Sequence, residues 1–100
     1  MEARYQIICS GAVMAEFKAV VEQADRRFLG DELLGVAEKF MDRLEIDPAS
    51  VGEPRYHLAH LKLIVHVALL SPLCVHFAID QERHFVYVRR FQFCPPTVRR

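Results

Sequence analysis

Two hydrophobic periodicities meet at the loop between Pro48 and Pro54, and their order restricts the fold more than any other feature of the chain. Ahead of the loop, Met14, Phe17, Val21, Ala24 and Phe28 step by three and four, as do Leu34, Ala37, Phe40, Met41 and Leu44. That spacing predicts two amphipathic helices, each burying one stripe. Arg4 to Cys9, with Tyr5, Ile7 and Ile8, reads as a strand before them. Ser10 offers a side-chain oxygen to cap the first helix, Gly30 a left-handed stop, and Asp31 a cap for the second. Gly35 costs the second helix about 1 kcal/mol relative to alanine, so that helix depends on packing. Asp47-Pro48 ends it, because the residue before a proline is pushed out of helical geometry.

Beyond the loop, β-branched and aromatic residues dominate and glycine is absent. Strands are expected near Arg55 to Leu58, Leu63 to Leu70, Cys74 to Ile79 and Phe85 to Phe93. Ser71-Pro72 and Asp80 to Arg83 supply the turns of an antiparallel meander. With Ser71, Pro72 and Leu73 as the first loop, Leu70 faces Cys74, and the second turn sets Ile79 opposite His84. One sheet face then holds Leu63, Val65, Val67, Leu69, Val75, Phe77, Ile79, Val86 and Val88, and needs the helices laid over it. The other holds Ile64, His66, Ala68, Leu70, Cys74, His76, Ala78, Phe85, Tyr87, Arg89 and Phe91. The fold class expected is α+β: an N-terminal strand, a two-helix hairpin, and an antiparallel β-meander with the helices on one face, in a single domain over residues 1–100.

A chain of 100 residues with 52% hydrophobic residues has enough apolar material for one core, which excludes intrinsic disorder. Cys9, Cys74 and Cys94 are an odd, widely spaced set without a CxxC pair, which points to packing roles in a reducing cytoplasm. Leu61 to Ile79 is apolar but interrupted by Lys62, His66, Ser71, Pro72 and His76, so no membrane span is expected, and Met1 to Tyr5 has no signal-peptide pattern. The formal charge is zero, yet residues 1–54 carry six basic against eleven acidic side chains and residues 55–100 seven against two. The helical half is thus near −5, and the sheet half, which holds all five histidines, is near +5.

The stretch Asp47-Pro48 through Gly52-Glu53-Pro54-Arg55, the strand Val75-His76-Phe77-Ala78-Ile79-Asp80, the polar turn Gln81-Glu82-Arg83 and the strand Val86-Tyr87-Val88-Arg89-Arg90-Phe91 together resemble the RelE/ParE toxin superfamily of bacterial type II toxin–antitoxin modules. The resemblance covers most of the chain. It implies a toxin neutralised by a cognate antitoxin. RelE-like members cleave ribosome-bound mRNA with basic residues on the open sheet face, whereas ParE-like members act on DNA gyrase. The chain departs from the RelE pattern where the central strand begins, with Leu73 or Cys74 in place of arginine, and in the preceding strand, where Ile64 to Leu70 lacks the usual cations.

The register above puts His66, His76, Tyr87 and Arg89 on one open face. Cleavage by a ribose 2′-OH needs a base, an acid and a cation for the phosphorane, and His66, His76 and Arg89 offer these as candidate catalytic residues of a metal-independent endoribonuclease. Tyr87, Arg90 and Phe91 are the candidate substrate-binding residues, an aromatic and cationic footing of the kind that holds single-stranded RNA, with Arg99-Arg100 as a basic tail. The alternative for the same residues is a non-enzymatic, protein-binding sheet face. No metal or cofactor is expected: the histidines lack zinc-site spacing, His57 and His60 would point apart on an extended segment, and no glycine-rich phosphate loop or nucleophile elbow occurs. Ile64, Leu70, Phe85 and Phe91 would make an apolar surface too large for a monomer, suited to an acidic amphipathic antitoxin segment or to a homodimer. Glu16, Glu22, Arg26, Glu38 and Lys39 read as ordinary solvated surface.

Overall fold

The computed structural model describes residues 4–96, so Met1 to Ala3 and the Arg99-Arg100 tail lie outside it. The elements are β1 (Gln6–Cys9), α1 (Gly11–Arg26), α2 (Gly30–Ile46), a single 3-10 turn at Pro48–Ser50, β2 (Glu53–Leu58), β3 (Leu63–Leu70), β4 (Leu73–Asp80) and β5 (Phe85–Phe93). The five strands form one sheet in the order β1-β5-β4-β3-β2. Only β1 against β5 is parallel, with Gln6 opposite Phe85 and Cys9 opposite Val88. The helical hairpin is therefore the crossover layer, and it covers one face as expected.

Ser10 caps α1 through its hydroxyl oxygen, which accepts the Val13 N–H at 3.2 Å. The end of α1 differs from expectation. Phe28, not Gly30, takes the left-handed conformation at φ 60°, and Gly30 opens α2. The Leu29 N–H donates to the Ala24 carbonyl at 2.8 Å and the Phe28 N–H to the Asp25 carbonyl at 3.0 Å, which is a Schellman stop with a bulky residue where glycine is favoured. Phe28 is 97% exposed, so nothing in its packing offsets the left-handed cost. A Phe28→Gly variant is expected to gain about 1 kcal/mol, seen as a melting temperature higher by about 4 to 8 °C. Asp31 is not the second cap either. It lies with Glu32 in the first turn of α2, where both carboxylates face the positive end of the helix dipole.

The buried helical stripes are Val13, Val20 and Ala24 on α1 and Leu33, Ala37, Phe40 and Leu44 on α2. Met14 and Leu34, expected inside, are half exposed. Both flank a cleft of about 250 Å³ between the helices, floored by Phe17, Phe40, Met41 and Phe91. The main core joins Leu33, Phe40 and Leu44 to Ala68, Leu73, Val75, Phe77, Val86, Val88 and Phe91 of the sheet. Phe77 is its hub, edge-on to Phe40 at 5.8 Å and stacked under His66 at 5.5 Å.

The first turn of the meander is one residue shorter than expected. Ser71-Pro72 alone forms the loop, with its peptide bond cis, and Leu70 pairs with Leu73. Leu73 is thereby fully buried instead of spent in a loop. Because side chains alternate across a sheet, this single step turns all of β3 over. His66, Ala68 and Leu70 face the helices, while Val65, Val67 and Leu69 share the open face with Cys74, His76 and Ala78. A second irregularity follows in β5, where Val88 pairs with Phe77 but Arg90 pairs with His76, leaving Arg89 as the extra residue of a bulge. A third sits in β2, where Pro54 pairs with His66 and Tyr56 with Val65, leaving Arg55 unpaired. Gly52, just ahead of β2, passes so close to β3 that a β-carbon there would lie 2.8 Å from the Val67 carbonyl oxygen.

Candidate functional site

The open face of the sheet is paved at its centre with small or short residues. Val65, Ala78 and Cys74 are buried there although they face away from the helices. By register, one row across the face runs Tyr56, Val65, Ala78, Tyr87 and Ile8, and the next runs Glu53, Val67, His76 and Arg90. His76 and Arg90 are thus directly opposed on β4 and β5. Half-buried His76 joins its Nε2 to Gln92 Oε1 at 3.1 Å. With Nε2–H donating to that carbonyl oxygen, Nδ1 carries the free lone pair, the atom a general base would use.

The bulge explains why two consecutive arginines are exposed at the position of β5 that pairs with His76. Val88 and Phe91 are both buried on the helix side, and the two residues between them, Arg89 and Arg90, are both exposed. A regular strand would send one of them inward. Among the described residues the ion pairs are Arg4 with Glu45 at 3.0 Å and Asp80 with Arg83 at 3.4 Å. Arg55, Arg89 and Arg90 belong to neither pair. Arg55 and Arg90 lie near enough to Cys74 to favour its thiolate, but burial and the adjacent Cys94 outweigh them and hold the Cys74 thiol above its ordinary value. A raised pKa keeps that thiol protonated and disfavours the thiolate a nucleophile would need.

The residues expected together are divided by the sheet. By register His76, Tyr87 and Arg90 stand on the open face, and Arg89 is the exposed extra residue of the bulge beside Arg90. Two others lie away from that face. Phe91 is buried, its ring 5.0 Å from Phe17, because the bulge carries β5 one residue out of phase, so it offers no surface to a substrate. His66 lies on the helix side, where it stacks on Phe77 with an interplanar angle of 16°, so it shares no site with His76. Most of the apolar surface expected on the open face lies elsewhere: Ile64 and Leu70 face the helix side and Phe91 is core, while Phe85 keeps its place on the open face beside Tyr87. Leu69, 67% exposed, and Tyr56 stand on the open face instead. Arg55 and Gln92 are additional polar residues of this face. For Gln92 the signal in the sequence is the break in alternation at Arg89-Arg90, which, once read as a bulge, brings Gln92 beside His76.

Burial lowers the pKa of His66 from the ordinary histidine value, opposed in part by the Gly52 carbonyl. Below about pH 6.5 the unfolded chain therefore binds a proton that folded His66 resists. Stability is expected to fall as pH drops from about 6.5 through the lowered value and to level off beneath it. His66→Leu should flatten that acid limb in melting temperatures recorded from about pH 7.5 to 5.

No protein-family model matches the sequence, and no curated protein matches it. A solved structure does. It is the crystal structure of the toxin–antitoxin complex RelBE2 from Mycobacterium tuberculosis, aligned over 93% of this chain and 94% of that one with a TM-score of 0.64 and 18% identity. This chain shares its fold. The correspondence spans both layers, the crossover hairpin as well as the meander, so the α+β architecture with helices on one sheet face is common to the two. No helix among the described residues is long and apolar enough to cross a membrane.

Proposed function

We propose that this chain is the toxin component of a type II toxin–antitoxin module and that its open sheet face binds and cleaves RNA without a metal ion. The observation that carries the reading is His76, hydrogen-bonded to Gln92 and paired by register with Arg90 at the β5 bulge, on a fold similar to that of a toxin–antitoxin complex. In this reading His76 Nδ1 removes the ribose 2′-OH proton, and the oxygen attacks the adjacent phosphorus. The bond to the 5′ oxygen breaks, leaving a 2′,3′-cyclic phosphate and a 5′-OH whose proton comes from solvent. Arg89 and Arg90 neutralise the charge that builds on the phosphorane, and Tyr87 stacks on a base. His66 and Phe91 take no part.

The partner is a cognate antitoxin. The apolar cleft between α1 and α2, with Met14 and Leu34 at its rim, and exposed Leu69 offer it contact. The same apolar exposure favours a second reading: a non-enzymatic domain, or an inhibitor of a protein target such as DNA gyrase, on this scaffold. Induced expression in a bacterium, followed by growth curves and primer-extension mapping of mRNA ends, separates them. The proposal expects growth arrest with new mRNA ends, both lost in His76→Ala. Arrest without new ends, indifferent to His76→Ala, supports the second reading, and normal growth with intact transcripts rejects a toxin of either kind.

A further inference from the structure

Beside β1, β5 is paired only as far as Val88. Past that point its outer edge has no strand, and the bulge lies there. Among the described residues one hydrogen bond crosses from the helical layer to this segment: the Phe91 backbone N–H donates to Glu16 Oε1 at 3.2 Å, over a sequence separation of 75 residues. The next residue of α1, Phe17, packs its ring on that of Phe91. α1 therefore holds Phe91 by its amide and its ring together. Phe91 is the first residue after the two arginines, so whatever fixes it fixes where the bulge ends and how Arg89 and Arg90 leave the sheet. A carboxylate acceptor makes this a charge-assisted hydrogen bond, stronger than one from a neutral group.

We propose that Glu16 is a positioning residue of the open-face site, anchoring the β5 bulge so that Arg89 and Arg90 are presented beside His76. The inference rests on reading that face as an RNA site. Its sign separates it from plain electrostatics. Removing a negative charge from the protein raises its affinity for RNA, whereas losing the anchor lowers it.

The test joins amide hydrogen exchange by NMR to binding of a fluorescein-labelled single-stranded RNA 12-mer, followed by anisotropy over a salt titration. In Glu16→Ala the Phe91 amide should exchange about tenfold faster or more while those of Val86 and Val88 are unchanged. RNA affinity should fall about tenfold, and the slope of log K against log salt should become shallower by about 0.7 for each phosphate that the arginines no longer neutralise. Glu16→Gln, which keeps an acceptor oxygen, should restore both properties. Glu22→Ala, which removes a charge from the same helix, should bind RNA as well as the parent chain or better. Unchanged Phe91 protection or undiminished RNA affinity in Glu16→Ala overturns the proposal. A parent chain with no affinity for the RNA overturns the functional reading instead, and Phe91 exchange then decides the anchor by itself.

Discussion

Replacing Arg89 and Arg90 together by alanine is expected to weaken binding of single-stranded RNA by roughly a hundredfold at low salt, about tenfold per arginine, without lowering the melting temperature. Both side chains are exposed, and neither belongs to an ion pair among the described residues, so the fold gives up little when they go. RNA bound to such a surface would, by contrast, be held largely through its phosphates. Each cation removed should therefore reduce the salt dependence of binding by about 0.7 in log–log slope, and the loss should be nearly uniform across RNA sequences. Losing affinity with an unaltered slope would place the contacts on bases, and unaltered affinity would move the binding surface away from the bulge. The overall charge of zero does not weigh against such a surface. The acidic side chains are concentrated in residues 1–54, chiefly on the helices, and the cations of the open face stand on the opposite side of the sheet.

The largest expected effect on stability is at Phe77. This side chain is fully buried where β4 meets α2, edge-on to Phe40, stacked under His66 and paired through the backbone with Val88 at the start of the bulge. Truncation to alanine removes the ring and leaves a cavity between sheet and helix that neither Phe40 nor His66 can fill from its backbone position. A cost of about 3 to 5 kcal/mol follows, against a total of about 5 to 15 kcal/mol for a domain. Urea denaturation should show a much reduced midpoint for Phe77→Ala. A loss below about 1 kcal/mol would mean that the helices do not pack on this face, and the division of His66 from His76 would fall with it.

That division marks the limit of what is legible in the sequence. The strands Leu63–Leu70 and Phe85–Phe93 are readable to the residue because runs of β-branched and aromatic side chains end at polar turns. The helices are readable as elements from their three-and-four spacing, and their ends less so. A phenylalanine in the left-handed position is not what local chemistry favours, so sequence pattern places Phe28 in the stripe and Gly30 at the stop. Face assignment is harder, because it depends on single residues in turns. Leu73 is as good a loop residue as a strand residue until its burial against the helices is known, and moving it by one place changes all six pairings between β3 and β4. Both faces of β3 are apolar, so hydrophobicity alone does not choose between them. The bulge has a visible signature: Val86 and Val88 alternate correctly, and Phe91 and Phe93 alternate correctly, but two arginines stand between the pairs where regular alternation allows one residue. Glu16 has none, since a carboxylate on a solvated helix face looks the same whether it meets water or the amide of a strand 75 residues away.

The proposed function makes His76, and not His66, the histidine of an RNA-cleaving site, and cleavage of ribosome-bound mRNA by the purified chain in the presence of EDTA tests this directly when the product ends are identified chemically. The expected result is scission leaving 2′,3′-cyclic phosphate and 5′-OH termini, retained in His66→Leu and reduced about a hundredfold or more in His76→Ala. No cleavage by the parent chain, or cleavage that survives His76→Ala, would contradict it.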